Sequence, residues 1–202
     1  RLENGGNVQT VDLSEAQTIA DLQNLIDSSD LGIRLEVEQD GTLSMFNEVS
    51  GTWMSVGEDG GDTATLLGLR SMGLDTTLSV FNDGDGVPIR SGSIDPETGL
   101  PDPAADVDFT ISLADGRSFE VDLAGAQTVG DGLAALQSAA GAATPPIGPG
   151  EFTAELASTG NGIVLTDNSG GVTGTFTVTP ANGSRAAEAL GLLAPVSGNV
   201  IS

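Results

Sequence analysis

The sequence contains no cysteine, no histidine, no tyrosine and no lysine. The absence of cysteine excludes disulfide bonds and thiolate sites, and the absence of histidine excludes imidazole metal ligands and Ser-His catalytic triads. Without lysine, the chain can form neither a Schiff base nor the phosphate contact of a P-loop. Any catalysis would therefore rest on carboxylates, hydroxyl groups, arginine or a hard metal ion.

The chain carries 29 acidic residues against 6 basic ones, so its formal net charge is -23 at pH 7. Such a surface repels nucleic acid and anionic membranes, and we expect neither as a partner. The sequence also shows no apolar run of about 18 residues and no pattern of a cleaved signal peptide. Aromatic residues make up only 3% of the chain and glycines number 29, which favours short strands and turns over long packed helices.

Two stretches of the sequence repeat each other. Residues 11–21 read VDLSEAQTIAD and residues 121–131 read VDLAGAQTVGD, with seven of eleven positions identical. Weaker matches follow downstream in the same order. GTW at 51–53 matches GTF at 174–176, and LGL at 67–69 matches LGL at 190–192. These collinear matches indicate two tandem related copies.

The second copy has a readable pattern of strands. Apolar residues alternate with polar ones along two segments joined by the Asp-Gly pair at 115–116, which predicts an antiparallel hairpin with a two-residue turn and one buried face. The apolar set is Val107, Phe109, Ile111, Leu113, Phe119, Val121 and Leu123. We expect the first copy to begin at the second strand of this hairpin, with the Asn-Gly pair at 4–5 in the place of the turn.

A helix follows the hairpin in both copies. Thr128 with Asp131, and Thr18 with Asp21, have the spacing of a capping box, with aspartate where glutamate or glutamine is usual. Three strands and a short closing helix, capped at Gly191, complete the pattern. The sequence thus predicts an α+β fold of two tandem β-β-α-β-β-β-α copies with antiparallel sheets. We place them at residues 1–74 and 75–202, with inserted loops at 90–106 and 141–150.

Three segments of the second copy resemble the hook IN motif of bacterial flagellar axial proteins. They are DFTISLADGRSFEVDLAGAQTVGDGLAAL at 108–136, STGNGIVLTDNSGG at 158–171 and GSRAAEALGL at 183–192. The resemblance covers most of residues 75–193 and, in degenerate form, residues 1–73. The two-copy layout and the entry LSVFNDGDGVPI at 78–89 look most like the hook-associated protein at the hook–filament junction, with flagellins and the filament cap protein as the other members.

The resemblance implies a structural component of the bacterial flagellum and not an enzyme. Such proteins leave the cell through the flagellar type III export pathway and are extracellular. They join other axial proteins, such as hook protein and flagellin, through long terminal helices. The present chain shows no sustained heptads, so the resemblance implies that it is the surface-exposed middle region. We therefore expect it to be monomeric in solution.

The acidic stretch FNDGDGVPI at 81–89 is the strongest candidate for a ligand site. If Asp83 and Asp85 take the third and fifth positions of a calcium loop, Gly86 fits the sixth, but Phe81 and Gly92 then fall at the two anchoring positions. A looser site that shares Asp95 or Asp102 stays open, and with it the alternative function of a calcium-dependent, adhesin-like surface module. We favour a turn after a strand at TLSVF, and we assign no metal, cofactor or catalytic residue.

Other carboxylates and the two long loops have plainer interpretations. Nothing in the pattern selects a pair of carboxylates for glycoside hydrolysis. Trp53 aligns with Phe176, and we expect both to anchor cores. Asp12 and Asp122 recur within VDL on the polar side of a strand, where we expect exposure or a hydrogen bond at a sheet edge. The loop at 90–106 is expected to be a solvated connection, although long loops often carry binding sites. The stretch ATPPIGPG at 143–150 is expected to be a passive insertion between helix and strand, although its polyproline II character could dock a partner.

Overall fold

The computed structural model describes residues 1–158, 161–171 and 174–202, apart from the side chain of Asp83. The chain divides into two compact units, Arg1–Ser71 and Met72–Ser202, named here the first and second unit. The sequence-based boundary lies three residues later, after Leu74. In the structure the carbonyl of Leu74 accepts a hydrogen bond of 2.8 Å from the Gly130 amide, which ties these three residues to the second unit.

The first unit contains two small antiparallel sheets and two helices. The elements are β1 (Leu2–Asn4), β2 (Asn7–Gln9), α1 (Ile19–Asp27), β3 (Ile33–Val37), β4 (Leu43–Asn47), β5 (Met54–Val56) and α2 (Thr63–Leu66). One sheet has the strand order β2-β1-β5 and the other pairs β3 with β4.

The second unit is larger. Short 3-10 turns at Leu78–Val80, Asn82–Gly84 and Pro103–Asp106 precede its first strand. Its further elements are β6 (Phe109–Ser112), β7 (Ser118–Val121), α3 (Val129–Ala142), β8 (Phe152–Leu156), β9 (Ile163–Asp167), β10 (Thr177–Pro180), α4 (Ala186–Ala189) and β11 (Val200–Ile201). The described residues of this unit form two three-stranded antiparallel sheets, with strand orders β10-β6-β7 and β11-β9-β8.

The chain therefore has the predicted α+β fold with antiparallel sheets. Both units follow the order β-β-α-β-β-β-α, and the pairing β2-β1-β5 in the first matches β7-β6-β10 in the second. Two expectations need correction. The first unit does not begin at its second strand, because Leu2–Asn4 forms a short first strand between two partners. The second unit ends with an extra strand, Val200–Ile201, which pairs with β9 because Ile201 buries its side chain there.

Both main helices begin at a complete capping box. The Thr128 hydroxyl accepts a hydrogen bond of 3.2 Å from the Asp131 amide, and Oδ2 of Asp131 accepts one of 2.9 Å from the Thr128 amide. Thr18 and Asp21 make the same reciprocal pair at 3.1 and 2.9 Å. Aspartate therefore serves at the third helical position as well as the usual glutamate, and its charge lies where the helix dipole favours an anion.

Each unit has its own apolar core. In the second unit the predicted hairpin face is buried throughout and packs with the inner face of α3, including Leu136 and Ala140. Phe119 and Phe152 meet edge to face with ring centroids 5.1 Å apart. The first unit has a smaller core, made of Leu2, Leu22, Ile26, Ile33, Leu35 and Val56.

The two hairpin turns differ from the predicted two-residue Asn-Gly and Asp-Gly turns. In the second unit the Leu113 amide donates to the Arg117 carbonyl at 2.8 Å, so the loop has three residues and ends in Gly116 at a φ of 92°. In the first unit Asn4 pairs with Asn7, and the turn consists of Gly5 and Gly6 at φ 58° and 83°. Two consecutive positive φ angles are the geometry of a type I′ turn, which glycine adopts without strain.

The prediction that Trp53 anchors a core is wrong. Its side chain is 58% exposed, whereas Phe176 is 3% exposed. The two residues are misaligned by one position: β5 turns Met54 and Val56 inward, and the second unit turns Phe176 and Val178 inward. Because side chains alternate between the faces of a strand, a shift of one residue moves Trp53 to the outer face.

Candidate functional site

The acidic stretch at 81–89 forms a compact turn closed by its own backbone and by Asn82. The Gly86 amide donates to the Phe81 carbonyl at 2.9 Å, and Nδ2 of Asn82 donates to the Gly86 carbonyl at 2.8 Å. Asn82, Gly84 and Gly86 all have positive φ angles, of 54°, 92° and 80°. Asparagine, aspartate and glycine are the residues that most readily adopt positive φ angles, which explains why they alternate in this stretch.

The element before this turn is not the predicted strand. Thr77 forms an isolated bridge with Thr128, and Leu78–Val80 then winds into a 3-10 turn. The Val87 amide donates a hydrogen bond of 3.1 Å to the Leu78 carbonyl, so residues 78–87 form a small closed loop. The side chain of Leu78 is buried in the core of the second unit. The segment Leu78–Val80 is therefore held by one apolar side chain and does not show the alternating burial of a strand.

The carboxylates around the turn do not converge on one point among the described residues. The side chain of Asp83 lies outside the description, and Asp85 is exposed. Within residues 1–158, 161–171 and 174–202, no group of three or more acidic side chains is placed to hold a metal ion. Asp85 lines a shallow cavity of about 310 Å³ with Arg185 and Glu188, whose side chains pair with each other at 2.8 Å.

The loop at 90–106 is held at both ends rather than freely solvated. The Arg90 amide donates to Oδ1 of Asp108 at 3.0 Å, and its guanidinium donates to the Ala105 carbonyl at 2.7 Å. The Ser93 hydroxyl lowers the pKa of Asp106, and the Ser93 amide, which donates to Oδ1 of Asp106 at 2.9 Å, lowers it further. Between these anchors Ile94 and Leu100 project outward from a small antiparallel bridge region and are exposed.

The loop at 141–150 is also fastened, through Arg117. This arginine follows the β6–β7 turn, donates from Nε to Asp115 at 2.6 Å and pairs with Glu151 at 3.1 Å. It also donates to the Pro146 carbonyl at 3.1 Å, and the side chain of Ile147 is buried in the core. The hydrogen bond from Arg117 lowers the pKa of Glu151, and the Arg117 amide lowers that of Asp115. The second half of this insertion is therefore anchored to the second unit rather than freely solvated.

Asp108 is the polar residue that sequence reasoning did not single out. It is completely buried at the start of β6, and it accepts hydrogen bonds from the amides of Arg90 and Leu123 at 3.0 Å and from the Ser184 hydroxyl at 2.7 Å. One carboxylate therefore joins the long loop, the hairpin and the entry to α4. Its place between Val107 and Phe109 is an ordinary polar position of an alternating strand, so the local pattern carried no signal of its burial.

Asp12 and Asp122 are turn formers. Oδ1 of Asp12 accepts from the Ser14 amide at 2.9 Å, and Oδ1 of Asp122 accepts from the Ala124 amide at 2.7 Å. The Ser14 amide lowers the pKa of Asp12. Each aspartate thus shapes the chain between the hairpin and the main helix of its unit, and both are exposed.

Several carboxyl groups of the described residues have a lowered pKa, which favours their charged form. Where a pKa departs from its ordinary value, it is lowered, as for Asp131 beside the Gln127 amide and Asp21 beside the Thr18 hydroxyl. A general acid in glycoside hydrolysis needs the opposite shift. What these carboxylates do in the structure is to fasten turns, loops and helix starts.

Within the described part of the chain, no helix is long and apolar enough to cross a membrane. Comparison of the chain with family models, with curated proteins and with solved structures finds no match in any of the three.

Proposed function

We propose that the chain is the surface-exposed region of a structural protein of the bacterial flagellum, either the hook-associated protein at the hook–filament junction or a flagellin. The observation that carries the proposal is that each unit has one sheet with the same strand pairing, β2-β1-β5 in the first and β7-β6-β10 in the second, and one main helix that begins at a capping box. That layout agrees with the two hook IN copies that the sequence resembles. The proposed role is mechanical and steric, with no small-molecule chemistry.

The distribution of polar groups supports this role. Buried or fastened carboxylates hold the long loops to the cores, as Asp108 holds the loop at 90–106 through the Arg90 amide. The remaining acidic groups give the surface a strong negative charge, which opposes adhesion between neighbouring copies. A rigid, soluble outer region that does not aggregate suits an extracellular filament. In this proposal, long terminal helices like those of other axial proteins join the full-length protein to its neighbours.

Export offers a test of the proposal. The full-length protein, detected by an antibody against this chain, should accumulate in the medium of a strain that makes a hook but no filament. Disabling the flagellar type III export apparatus should remove it from the medium and leave it in the cell. Secretion that continues without this apparatus would contradict the proposal.

A further inference from the structure

The second unit shows how an extended segment covers the start of its main helix. Residues 74–78, with the sequence LDTTL, run antiparallel to residues 127–130, and Thr77 forms a bridge with Thr128. Three backbone hydrogen bonds join them: Leu78 N–H to Gln127 O at 2.8 Å, Val129 N–H to Thr76 O at 2.9 Å and Gly130 N–H to Leu74 O at 2.8 Å. The segment therefore satisfies amides that the first turn of α3 cannot pair within the helix.

The same segment completes the core of the second unit. Leu78 is 5% exposed and belongs to one cluster with Leu123, Val129 and Leu190. Val129, at the first position of α3, is fully buried. Backbone bonds thus fix the position of the segment, and its leucine side chain supplies the apolar contact.

The first unit has the same edge without a cover. Its helix α1 starts with the same Gln-Thr pair and the same capping box, so Gln17, Ile19 and Ala20 hold the places of Gln127, Val129 and Gly130. The Gln17 carbonyl and the amides of Ile19 and Ala20 have no backbone partner among the described residues. Ile19 is 41% exposed, although its counterpart Val129 is fully buried.

An apolar cavity lies beside this edge. It measures about 440 Å³, and its apolar lining consists of Leu13, Ala16, Ile19, Leu22 and Leu67. Leu123 and Leu190, the counterparts of Leu13 and Leu67, are buried in the same core cluster as Leu78. A leucine side chain delivered by an extended segment would therefore enter the first unit between Leu13, Ile19 and Leu67.

Ala20, which stands in the place of Gly130, makes the uncovered edge of the first unit fit a docked segment less closely than the covered edge of the second unit does. A Cβ atom built on Gly130 would lie 3.0 Å from the Leu74 carbonyl oxygen and 3.4 Å from its Cβ. The first unit has Ala20 at this place. A segment docked there must move outward by a few tenths of an ångström at that end, so removing the Ala20 methyl group should improve the fit.

We propose that the edge formed by Gln17, Ile19 and Ala20 is a docking site for an extended polypeptide segment with the chemistry of residues 74–78. The segment carries a leucine at each end, with an aspartate and two threonines between them. It adds antiparallel to residues 17–20, takes the three unpaired backbone groups and places its second leucine in the 440 Å³ cavity. This inference rests on the comparison of the two units and is independent of the flagellar role.

The test uses a labelled peptide of residues 72–80 and the intact 202-residue protein. Fluorescence anisotropy measures binding, and backbone NMR locates it. We expect saturable binding of one peptide per chain, with shifts at the amides of Ile19 and Ala20 and none at Val129 and Gly130. A peptide with both leucines changed to aspartate is the control, and we expect its affinity to be at least tenfold lower.

Two variants of the protein sharpen the test. Ile19→Asp should weaken binding at least tenfold without changing the melting temperature, because Ile19 is a partly exposed side chain. Ala20→Gly should tighten binding several-fold. The proposal is overturned if the peptide does not bind, if Ile19→Asp leaves its affinity unchanged while the protein stays folded, or if light scattering shows that this edge instead joins two copies of the chain.

Discussion

The Ser184 hydroxyl donates a hydrogen bond of 2.7 Å to Oδ1 of Asp108, which lies 76 residues earlier in the chain. Both side chains are buried, so neither exchanges this partner for water. Asp108 also accepts hydrogen bonds from the backbone amides of Arg90 and Leu123. The position of its carboxylate therefore determines where the loop at 90–106, the hairpin and α4 meet. The second unit depends on this polar contact as well as on its apolar core.

Removal of the Asp108 carboxylate should destabilise the protein strongly. Asp108→Ala leaves the buried Leu123 amide and Ser184 hydroxyl, and the partly buried Arg90 amide, without their acceptor. We expect a loss of about 3 kcal/mol in the free energy of unfolding. Urea denaturation measures it. Ser184→Ala removes one donor and keeps the carboxylate, so it should cost about 1 kcal/mol. Equal effects of the two substitutions would contradict the central position of Asp108.

The capping boxes should contribute to both units. Thr128→Ala and Thr18→Ala each remove the hydroxyl that accepts from the third amide of the helix, and we expect each to cost about 1 kcal/mol of stability. Hydrogen exchange at the amides of Asp131 and Asp21 reports each helix separately. Thr128→Ser and Thr18→Ser keep a hydroxyl and serve as matched controls. Faster exchange in the serine variants than in the alanine variants would refute the assignment.

Arg117 should control the order of the loop at 141–150. Arg117→Lys keeps the positive charge but loses the planar group that contacts Asp115, Glu151 and the Pro146 carbonyl together. We expect faster hydrogen exchange at Ile147 and Gly148 and little change in α4. The exposed Arg185 supplies the control, because Arg185→Lys should leave the loop unchanged. Unaltered exchange at Ile147 in Arg117→Lys would show that the arginine does not hold the loop.

Stability should fall at low pH. The pKa values of Asp21 and Asp131 are lowered in the folded protein from an ordinary value of 3.8, so both groups favour the folded state when charged. Their contribution is fully present above about pH 4 and is lost as the pH falls through the lowered values. Melting temperatures between neutral pH and about pH 2 measure the loss. The variant with Asp21→Asn and Asp131→Asn should show a smaller acid-dependent decrease than the parent protein; an equal decrease would contradict this explanation.

Calcium should not stabilise the turn at 81–89 specifically. A ligand that binds only the native state raises its melting temperature, and the residues at the two anchoring positions, Phe81 and Gly92, offer no carboxylate. We expect metal-stripped protein to respond equally to calcium and magnesium at the same ionic strength. Asp83→Ala and Asp85→Ala should not change this response. A rise with calcium alone, lost in either variant, would instead support the adhesin-like alternative.

The local patterns predicted much of the fold. Alternation from Val107 to Leu113 gave the strand and its buried face, because side chains on a strand have a period of two. The Thr-x-x-Asp spacing located the starts of α1 and α3, since capping depends on side chains only three residues apart. These features are determined by neighbours in the sequence.

Features that depend on distant contacts were missed. The side chain of Trp53 faces outward because the register of β5 against β1 turns Met54 and Val56 toward the core. The sequence alignment of the two copies was wrong by one residue, which predicted the opposite face for Trp53. Asp108 finds its partners 15 to 76 residues away, and no local pattern reports such pairing. The segment at 74–78 joins the two copies in the sequence, yet in the structure it covers the start of α3 and buries the side chain of Leu78. The uncovered counterpart of that edge could be recognised only by comparing the two folded units.

The location of the chain on the cell tests the proposed function most directly. Immunogold electron microscopy of isolated flagella, with an antibody against this chain, should place label on the flagellum. A single cluster between hook and filament would identify the junction protein, and label along the filament would identify a flagellin. Label confined to the cell envelope, with none on hooks, junctions or filaments, would contradict the flagellar assignment.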